Sequence, residues 1–332
     1  MTTAYLYDAR GRDREVDLAD VSIRRLGRDS LLWINVDRSK GESLEGVSSL
    51  LGLDPSSLKR LQRDDVRPRL DNYGRYFQFT LYAEPHPAGA RGDGHGERRY
   101  GAGAVKLDVV VGDRWIVTLH AGEVKFLDAY RAQDKAETLL GAMSAQALVA
   151  SLLDWHLEAY FDAVADLEHQ VDQLEDKVLL RPNGRMALGR MTGLKRQVSR
   201  LRSLLASQRR VFYGLARPDF LLVSESPASA HYVALVARYE RAIDEVEHLH
   251  DLVVGSFELF TSRTTLDTNE LVKALTFLTV VIGLCAAIAG LFGMNFEAEI
   301  LRTGNQGFYG IVFAQGVALI AAAAYVRWKR WL

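Results

Sequence analysis

The hydrophobic and polar positions divide the chain into a region of short apolar segments, a region of helical periodicity and two uninterrupted apolar runs. In the first region, segments of strand length alternate with polar turns. The segments that predict strands are residues 3–9, 31–36, 76–82, 105–111 and 115–120. Aromatic residues alternate along 76–82, and the last two segments form a predicted hairpin around Gly112-Asp113.

Two short helices are predicted between Ser43 and Arg63. Ser43 suits the N-cap of the first, and Asp54-Pro55 gives the second a cap followed by proline at the first helical position. Residues 86–99 have no apolar anchor and predict a mobile loop. Residues 1–140 are therefore predicted to form an α+β domain, without catalytic chemistry of their own.

Residues 141–228 predict a helical hairpin with one acidic and one basic arm. The acidic helix runs from Ser144 to Leu180, and Arg181-Pro182-Asn183-Gly184 breaks it before a basic helix from Met186 to about Ala216. The acidic residues are Asp154, Glu158, Asp162, Asp166, Glu168, Asp172, Glu175 and Asp176. Two interpretations stay open: solvated faces with pairing between the two helices, or an electrostatic field that concentrates cations.

From residue 229 onward, apolar residues recur every three or four positions, and no breaker appears before Gly293. This pattern predicts one continuous helix over 229–292, about 95 Å long at 1.5 Å per residue. Such a helix is too long to pack against its own domain, and its apolar stripe needs copies of itself for cover. The sequence thus predicts a helical stalk in a homo-oligomer.

Two apolar runs, 274–292 and 308–326, each have the length that crosses a bilayer as a helix. The alternative is a pair of buried helices in a large soluble domain. The flanks favour the membrane, because Lys273 precedes the first run and the tail 327–332 is basic and contains two tryptophans. The chain is therefore predicted to be a two-span membrane protein.

Charge at the ends of the spans predicts the orientation. Arg327, Lys329 and Arg330 follow the second run, whereas the loop 293–307 carries one cation, Arg302. By the positive-inside bias, both termini are expected in the cytoplasm and the loop outside, in an inner or plasma membrane. No signal peptide is expected at the start, no disulfide from the single cysteine, and no nucleic-acid partner at a net charge of −1.

One face of the first span is formed mainly by small or polar residues at helical spacing. Its members are Asn269, Val272, Thr276, Thr279, Gly283, Ala286, Gly290 and Gly293. Two interpretations compete: a tight helix–helix contact, or the lining of a water-filled path in which hydroxyls replace part of an ion's hydration shell.

The triplet Gly293-Met294-Asn295 closes the first of two C-terminal spans and precedes a short acidic loop. With Thr268-Asn269-Glu270 before that span and Lys329-Arg330-Trp331-Leu332 at the end, it resembles the CorA family of divalent-cation channels and transporters. The resemblance is specific over the last fifth of the chain. It implies a funnel-shaped homopentamer that moves Mg²⁺, with Co²⁺ or Ni²⁺ as further ions, and no cofactor.

The resemblance also implies roles for single residues. Asn269 would form the polar ring at the cytoplasmic mouth, Leu275 and its neighbours the hydrophobic constriction, and Gly293, Met294 and Asn295 the selectivity filter. Arg327, Lys329 and Arg330 would form a basic ring at the inner mouth.

Asn295 has chemistry that suits a hydrated ion. Mg²⁺ gives up its water reluctantly, and amide oxygens accept hydrogen bonds from that water without holding the ion too tightly. Glu297 and Glu299 would raise the cation concentration at the outer mouth, or are solvated loop residues whose field Arg302 weakens.

The chain departs from the family pattern in the stalk. The family's stalk carboxylate, which helps to bind regulatory Mg²⁺, would fall on Ala234. Zn²⁺ transport of the ZntB kind, with or without proton coupling, is therefore the alternative function. A membrane-anchored scaffold or sensor is a competing class, and no catalytic constellation supports an enzyme.

Overall fold

The computed structural model describes residues 2–23, 26–40, 44–64, 67–83, 104–132, 139–180, 184–293 and 304–329. The chain forms two compact units. One comprises Met1–Leu174 and Gly189–Val254, and the other Glu175–Leu188 and Gly255–Leu332.

A seven-stranded mixed sheet forms the centre of the first unit. Its strands are β1 (Thr2–Asp8), β2 (Arg14–Glu15), β3 (Ser30–Asp37), β4 (Leu70–Asn72), β5 (Phe77–Ala83), β6 (Val105–Val111) and β7 (Trp115–His120). The order is β2-β1-β3-β7-β6-β5-β4, and β3–β7 is the parallel pair while the other neighbours are antiparallel. The predicted hairpin around Gly112-Asp113 is observed between β6 and β7.

The predicted strand over 76–82 is observed as β5, and it is buried on both faces although aromatic and polar residues alternate along it. All seven residues are buried. Phe79 and Leu81 lie on one face of the sheet, beside Phe126 and Leu153. Gln78 lies on the opposite face, where its amide oxygen accepts a hydrogen bond from Ser57 Oγ at 2.6 Å. Helices cover the sheet on both faces here, so the polar residues are buried as well.

Three short helices belong to this domain: α1 (Glu45–Leu51), α2 (Pro55–Leu61) and α3 (Lys125–Ala132). The predicted start of α2 is observed, with Asp54 Oδ1 accepting from the Ser56 N–H at 2.8 Å and Pro55 in the first turn. The N-cap of α1 is Leu44, which makes no side-chain cap. Ser43 and the predicted loop 86–99 lie outside the described residues.

Helix α4 (Ala145–Leu180) is the predicted acidic helix, and Ser144 Oγ accepts from the Ala147 N–H at 3.1 Å at its start. The basic segment is two helices rather than one, α5 (Gly184–Ser207) and α6 (Arg209–Leu215). They separate at Gln208, a fully buried side chain that contacts the sheet and α4. A four-residue helix, α7 (Leu221–Ser224), follows.

Helix α8 (Ser229–Gly293) is continuous over 65 residues. Pairing between the two arms was one of the two interpretations of the hairpin, whereas the ion pairs observed among the described residues of α4, α5 and α6 are made with α8. Arg238 pairs with Asp154 and Glu158 of α4. On the basic side, Arg202 pairs with Glu247 and Arg209 with Glu240. These pairs are largely exposed, so each contributes little to stability.

The second unit contains the last part of α8 and helix α9 (Gly304–Trp328). Both helices are long and apolar enough to cross a membrane, and little of their apolar surface is buried. Gln315 Nε2 of α9 donates to the Cys285 carbonyl oxygen at 3.0 Å, and the rings of Phe277 and Tyr325 are 5.4 Å apart. These contacts fix how the two helices pack.

Candidate functional site

The small and polar face of α8 is exposed over its described residues. Every described residue that the sequence assigns to this face is exposed: Asn269, Val272, Thr276, Thr279, Gly283, Ala286 and Gly290. Val272 of this face is 53% exposed, and Leu275, the residue expected at the hydrophobic constriction, is 65% exposed. The face is therefore available to solvent, lipid or another copy of the chain.

The opposite side of the same helix packs on α9. Ala274 is buried, Phe277, Val281, Cys285 and Ile288 are partly buried, and Cys285 accepts the hydrogen bond from Gln315. At about 100° per residue, the centre of this group lies about 180° around the helix from the centre of the exposed face. The second span thus occupies one side of α8 and leaves the polar side open.

The threonine hydroxyls on the exposed face have a defined orientation. Thr276 Oγ1 donates to the Val272 carbonyl oxygen and Thr279 Oγ1 to the Leu275 carbonyl oxygen, both at 2.8 Å. Each hydroxyl has one proton, so this bond uses its donor and leaves the oxygen lone pairs as acceptors. Such a surface accepts hydrogen bonds from the water shell of a cation.

The polar face continues toward the N-terminus beyond Asn269, which the sequence reasoning missed. Thr265 and Glu258 are exposed, and Glu258 is 18 residues before Thr276, which is five helical turns. Thr265 Oγ1 donates to the Thr261 carbonyl oxygen at 2.9 Å in the same manner. The same periodicity, followed below residue 269, would have identified both residues.

Several predicted site residues lie outside the described part of the chain: Met294, Asn295, Glu297, Glu299 and Arg330. Gly293 is the last residue of α8. Arg327 and Lys329 are exposed at the end of α9, where Lys329 Nζ is 5.8 Å from the centre of the Trp328 ring. Within the described ranges, no group of three or more His, Cys, Asp or Glu residues could hold a metal ion.

The architecture defines the class of protein: a membrane protein with an α+β domain, a long helix and two C-terminal apolar helices. The family model described as "CorA-like Mg2+ transporter protein" matches residues 28–330. The chain therefore belongs to this family and is a transporter of divalent cations. Membership also confirms that it is not an enzyme.

Individual relatives cover nearly the whole chain at low identity. The cobalt/magnesium transport protein CorA of Thermotoga maritima is 23% identical over 323 residues, 96% of this chain and 89% of the relative. The divalent cation transporter CmaX of Pseudomonas aeruginosa is 23% identical over 331 residues, 99% of this chain and 96% of the relative.

The fold matches a solved full-length relative. The complete structure of the CorA magnesium transporter of Methanocaldococcus jannaschii superposes with a TM-score of 0.73 at 19% identity, over 100% of this chain and 99% of that one. This match confirms the expected fold class of an α+β domain, a long helix and two C-terminal spans.

Proposed function

We propose that the chain assembles as a homopentamer in the inner or plasma membrane and conducts Mg²⁺ as a partly hydrated ion. The last part of α8 from each subunit lines the pore, and α9 lies outside it against lipid. Co²⁺ and Ni²⁺ are further ions of the same pathway. The site residues of the pore are those of the exposed face of α8.

The single observation that carries this proposal is the exposure of that face. Thr276 and Thr279 place hydroxyl oxygens with free lone pairs on this face, and such acceptors are better satisfied by water than by lipid. A ring of α8 helices places them in water, while α9 covers the other side of each helix. The small residues Gly283, Ala286 and Gly290 leave room for an ion that keeps its water.

The path has distinct sections from inside to outside. Glu258 and Asn269 line the inner entrance, where a carboxylate raises the local cation concentration. Val272 and Leu275 form the apolar constriction. The threonine oxygens and the small residues follow, and Gly293, Met294 and Asn295 form the selectivity filter, with the Asn295 amides accepting hydrogen bonds from the hydrated ion.

The ends of the spans set the orientation of the protein. Arg327, Lys329 and Arg330 lie on the cytoplasmic side, where they form a basic ring around the inner mouth and contact lipid headgroups. Both termini are then cytoplasmic. Glu297 and Glu299 lie at the outer mouth and attract cations there.

The test is ion uptake into proteoliposomes that contain the full-length protein, with an ion-sensitive dye inside. Mg²⁺ and Zn²⁺ are compared, each with and without a pH gradient. Asn295→Ala is the test variant, and Asn305→Ala, an exposed amide at the start of α9, is the matched control. Loss of a hydrogen bond to a charged species costs about 1.5–3 kcal/mol, so uptake by Asn295→Ala should fall about tenfold or more.

Mg²⁺ entry down its own gradient, unchanged in Asn305→Ala, supports the proposal. Zn²⁺ entry at a rate that depends on the pH gradient would replace it with the zinc alternative. If folded protein moves neither ion, the membrane-anchored scaffold becomes the better explanation.

A further inference from the structure

A cavity of about 610 Å³ lies in the first unit, and none of its lining residues belongs to the small and polar face of α8. Four separate segments form it: the loop before β3, the β6–β7 turn, the start of α4 and the start of α8. Its volume is in the range of small-molecule sites.

Two cationic side chains, Arg28 and Arg114, line the cavity, and His231 adds a ring that can donate a hydrogen bond. Asp113 is the one carboxylate among the lining residues that the structure describes. Arg28 and His231 are exposed side chains on different segments. The two guanidinium groups repel a metal cation and favour an anion as the ligand.

Arg114 is held in a fixed orientation. Its Nε donates to the Ser30 carbonyl oxygen at 2.8 Å, Nη1 to that of Met143 at 3.0 Å and Nη2 to that of Gly141 at 2.6 Å. A guanidinium has five N–H donors, so these three bonds leave two for a ligand. A cation oriented in advance by the backbone loses little conformational entropy when it binds.

The remaining wall has an apolar part and a polar part. Leu26, Met143 and Pro227 supply apolar contacts. Ala147 in the first turn of α4 also lines the cavity, and the positive end of that 36-residue helix adds to the field of the arginines. A ligand with an anionic group and an apolar portion would match the cationic side chains and the apolar part of the wall.

From the two arginine side chains, the backbone-fixed orientation of Arg114, the ring N–H donors of His231 and the size of the cavity, we infer that this site binds a small molecule carrying a phosphate or polyphosphate group. A phosphate oxygen accepts from Arg114 and Arg28 in the planar geometry that guanidinium groups favour. His231 donates from the start of α8. Asp113 also lines the cavity and is exposed, and its carboxylate repels any part of an anion that comes close to it.

The inference is tested by isothermal titration calorimetry on the full-length protein in detergent, with EDTA present so that ion binding elsewhere makes no contribution. The probes are sodium pyrophosphate and ATP. One variant combines Arg28→Gln with His231→Asn, both at exposed positions, and a second, Ala147→Leu, fills the cavity without changing charge. Arg12→Gln, an exposed arginine that does not line the cavity, is the control.

Wild type and Arg12→Gln should bind at least one probe with equal affinity. The double variant should bind about tenfold or more weakly, since the contacts of one guanidinium group and one imidazole with the phosphate are lost, and Ala147→Leu should also weaken binding. Tighter binding of ATP than of pyrophosphate would indicate that the apolar wall contacts the nucleoside part of the ligand. No binding of either probe to wild type, or equal affinity of wild type and the double variant, would overturn the inference.

Discussion

At the residue scale, Gln208 and His156 form a buried polar pair that fixes the junction of α5 and α6. His156 Nε2 lies 2.8 Å from Gln208 Oε1. The Gln208 amide nitrogen donates to the Tyr82 carbonyl oxygen and to the Tyr160 hydroxyl, at 3.2 and 2.9 Å. The amide oxygen therefore faces the imidazole, and Nε2 of neutral His156 carries the proton that it donates.

Burial lowers the pKa of His156 from 6.5 to about 4, although the bond to Gln208 opposes this. The unfolded chain takes up a proton as pH falls through 6.5, and the folded chain does so only near 4. The free energy of unfolding should therefore be unaffected by His156 above pH 6.5 and fall on acidification between the two values. The total loss is on the order of 3 kcal/mol.

Thermal unfolding of the detergent-solubilised protein, followed by tryptophan fluorescence between pH 7.5 and 4.5, measures this effect. His156→Phe removes the titrating group and should give a shallower dependence of the unfolding temperature on pH. Its stability at neutral pH should be lower, because Gln208 Oε1 loses its partner. Parallel pH profiles for the two proteins would show that His156 does not carry the dependence.

At the element scale, the glycine at position 283 of α8 has open space beside it. Glycine at 283 keeps the proposed pore wide above the constriction at Leu275. A Cβ built at Gly283 meets no atom within 4 Å, and the same holds for Gly310 in α9. The two positions therefore accept a larger side chain equally well within one chain.

Gly283→Leu should lower Mg²⁺ uptake several-fold, because it adds a second apolar ring to the path and apolar constrictions lose water readily. Gly310→Leu, on the second span, should leave uptake near the wild-type rate. Uptake into proteoliposomes at matched protein content measures both. Equal rates for the two variants would contradict the assignment of Gly283 to the pore.

The sequence predicted the helices and strands better than it predicted the contacts between them. Periodicity and caps located β1, β3, the β6–β7 hairpin, α2 and the acidic helix. It did not predict the break at Gln208, since glutamine favours helices and its burial depends on tertiary contacts. It also did not predict that α8, rather than the neighbouring arm, pairs with the charges of α4 and α5, because side chains that meet across helices are not adjacent in the sequence.

At the scale of the whole molecule, α8 leaves large apolar side chains uncovered along much of its length. Leu266, Leu271 and Ile282 are each more than half exposed. Leu266 and Leu271 precede the proposed span, so water rather than lipid would meet them in a single chain. Burial against copies of the same helix removes this exposure.

Native mass spectrometry of the protein released from detergent should therefore give five copies of the 37.1 kDa chain. Leu266→Glu should shift the distribution toward smaller species, because a charge in a helical interface is costly. Ser203→Glu, at an exposed position of α5, is the comparison for added charge alone. A single-chain mass for the wild type under conditions that preserve its fold would contradict the assembly.

The site was predictable in part at this scale. The exposed face of α8 follows from helical spacing alone, and the structure places all its described members on one side. Which side α9 covers depends on the contact of Gln315 with a backbone oxygen, and the sequence pattern does not contain that information. The sequence could therefore name the face and leave two interpretations of it open.

Because α8 is one continuous helix, its helical phase passes without interruption from the first residue to the last, and this restricts which insertions and deletions the helix can accept. One residue inserted in α8 ahead of the proposed span would turn every downstream side chain by about 100° relative to the upstream ones and direct the threonines away from the proposed pore axis. Seven residues would leave the phase almost unchanged, with an error of about 20°. Insertions and deletions along this helix should therefore be tolerated only near whole numbers of turns.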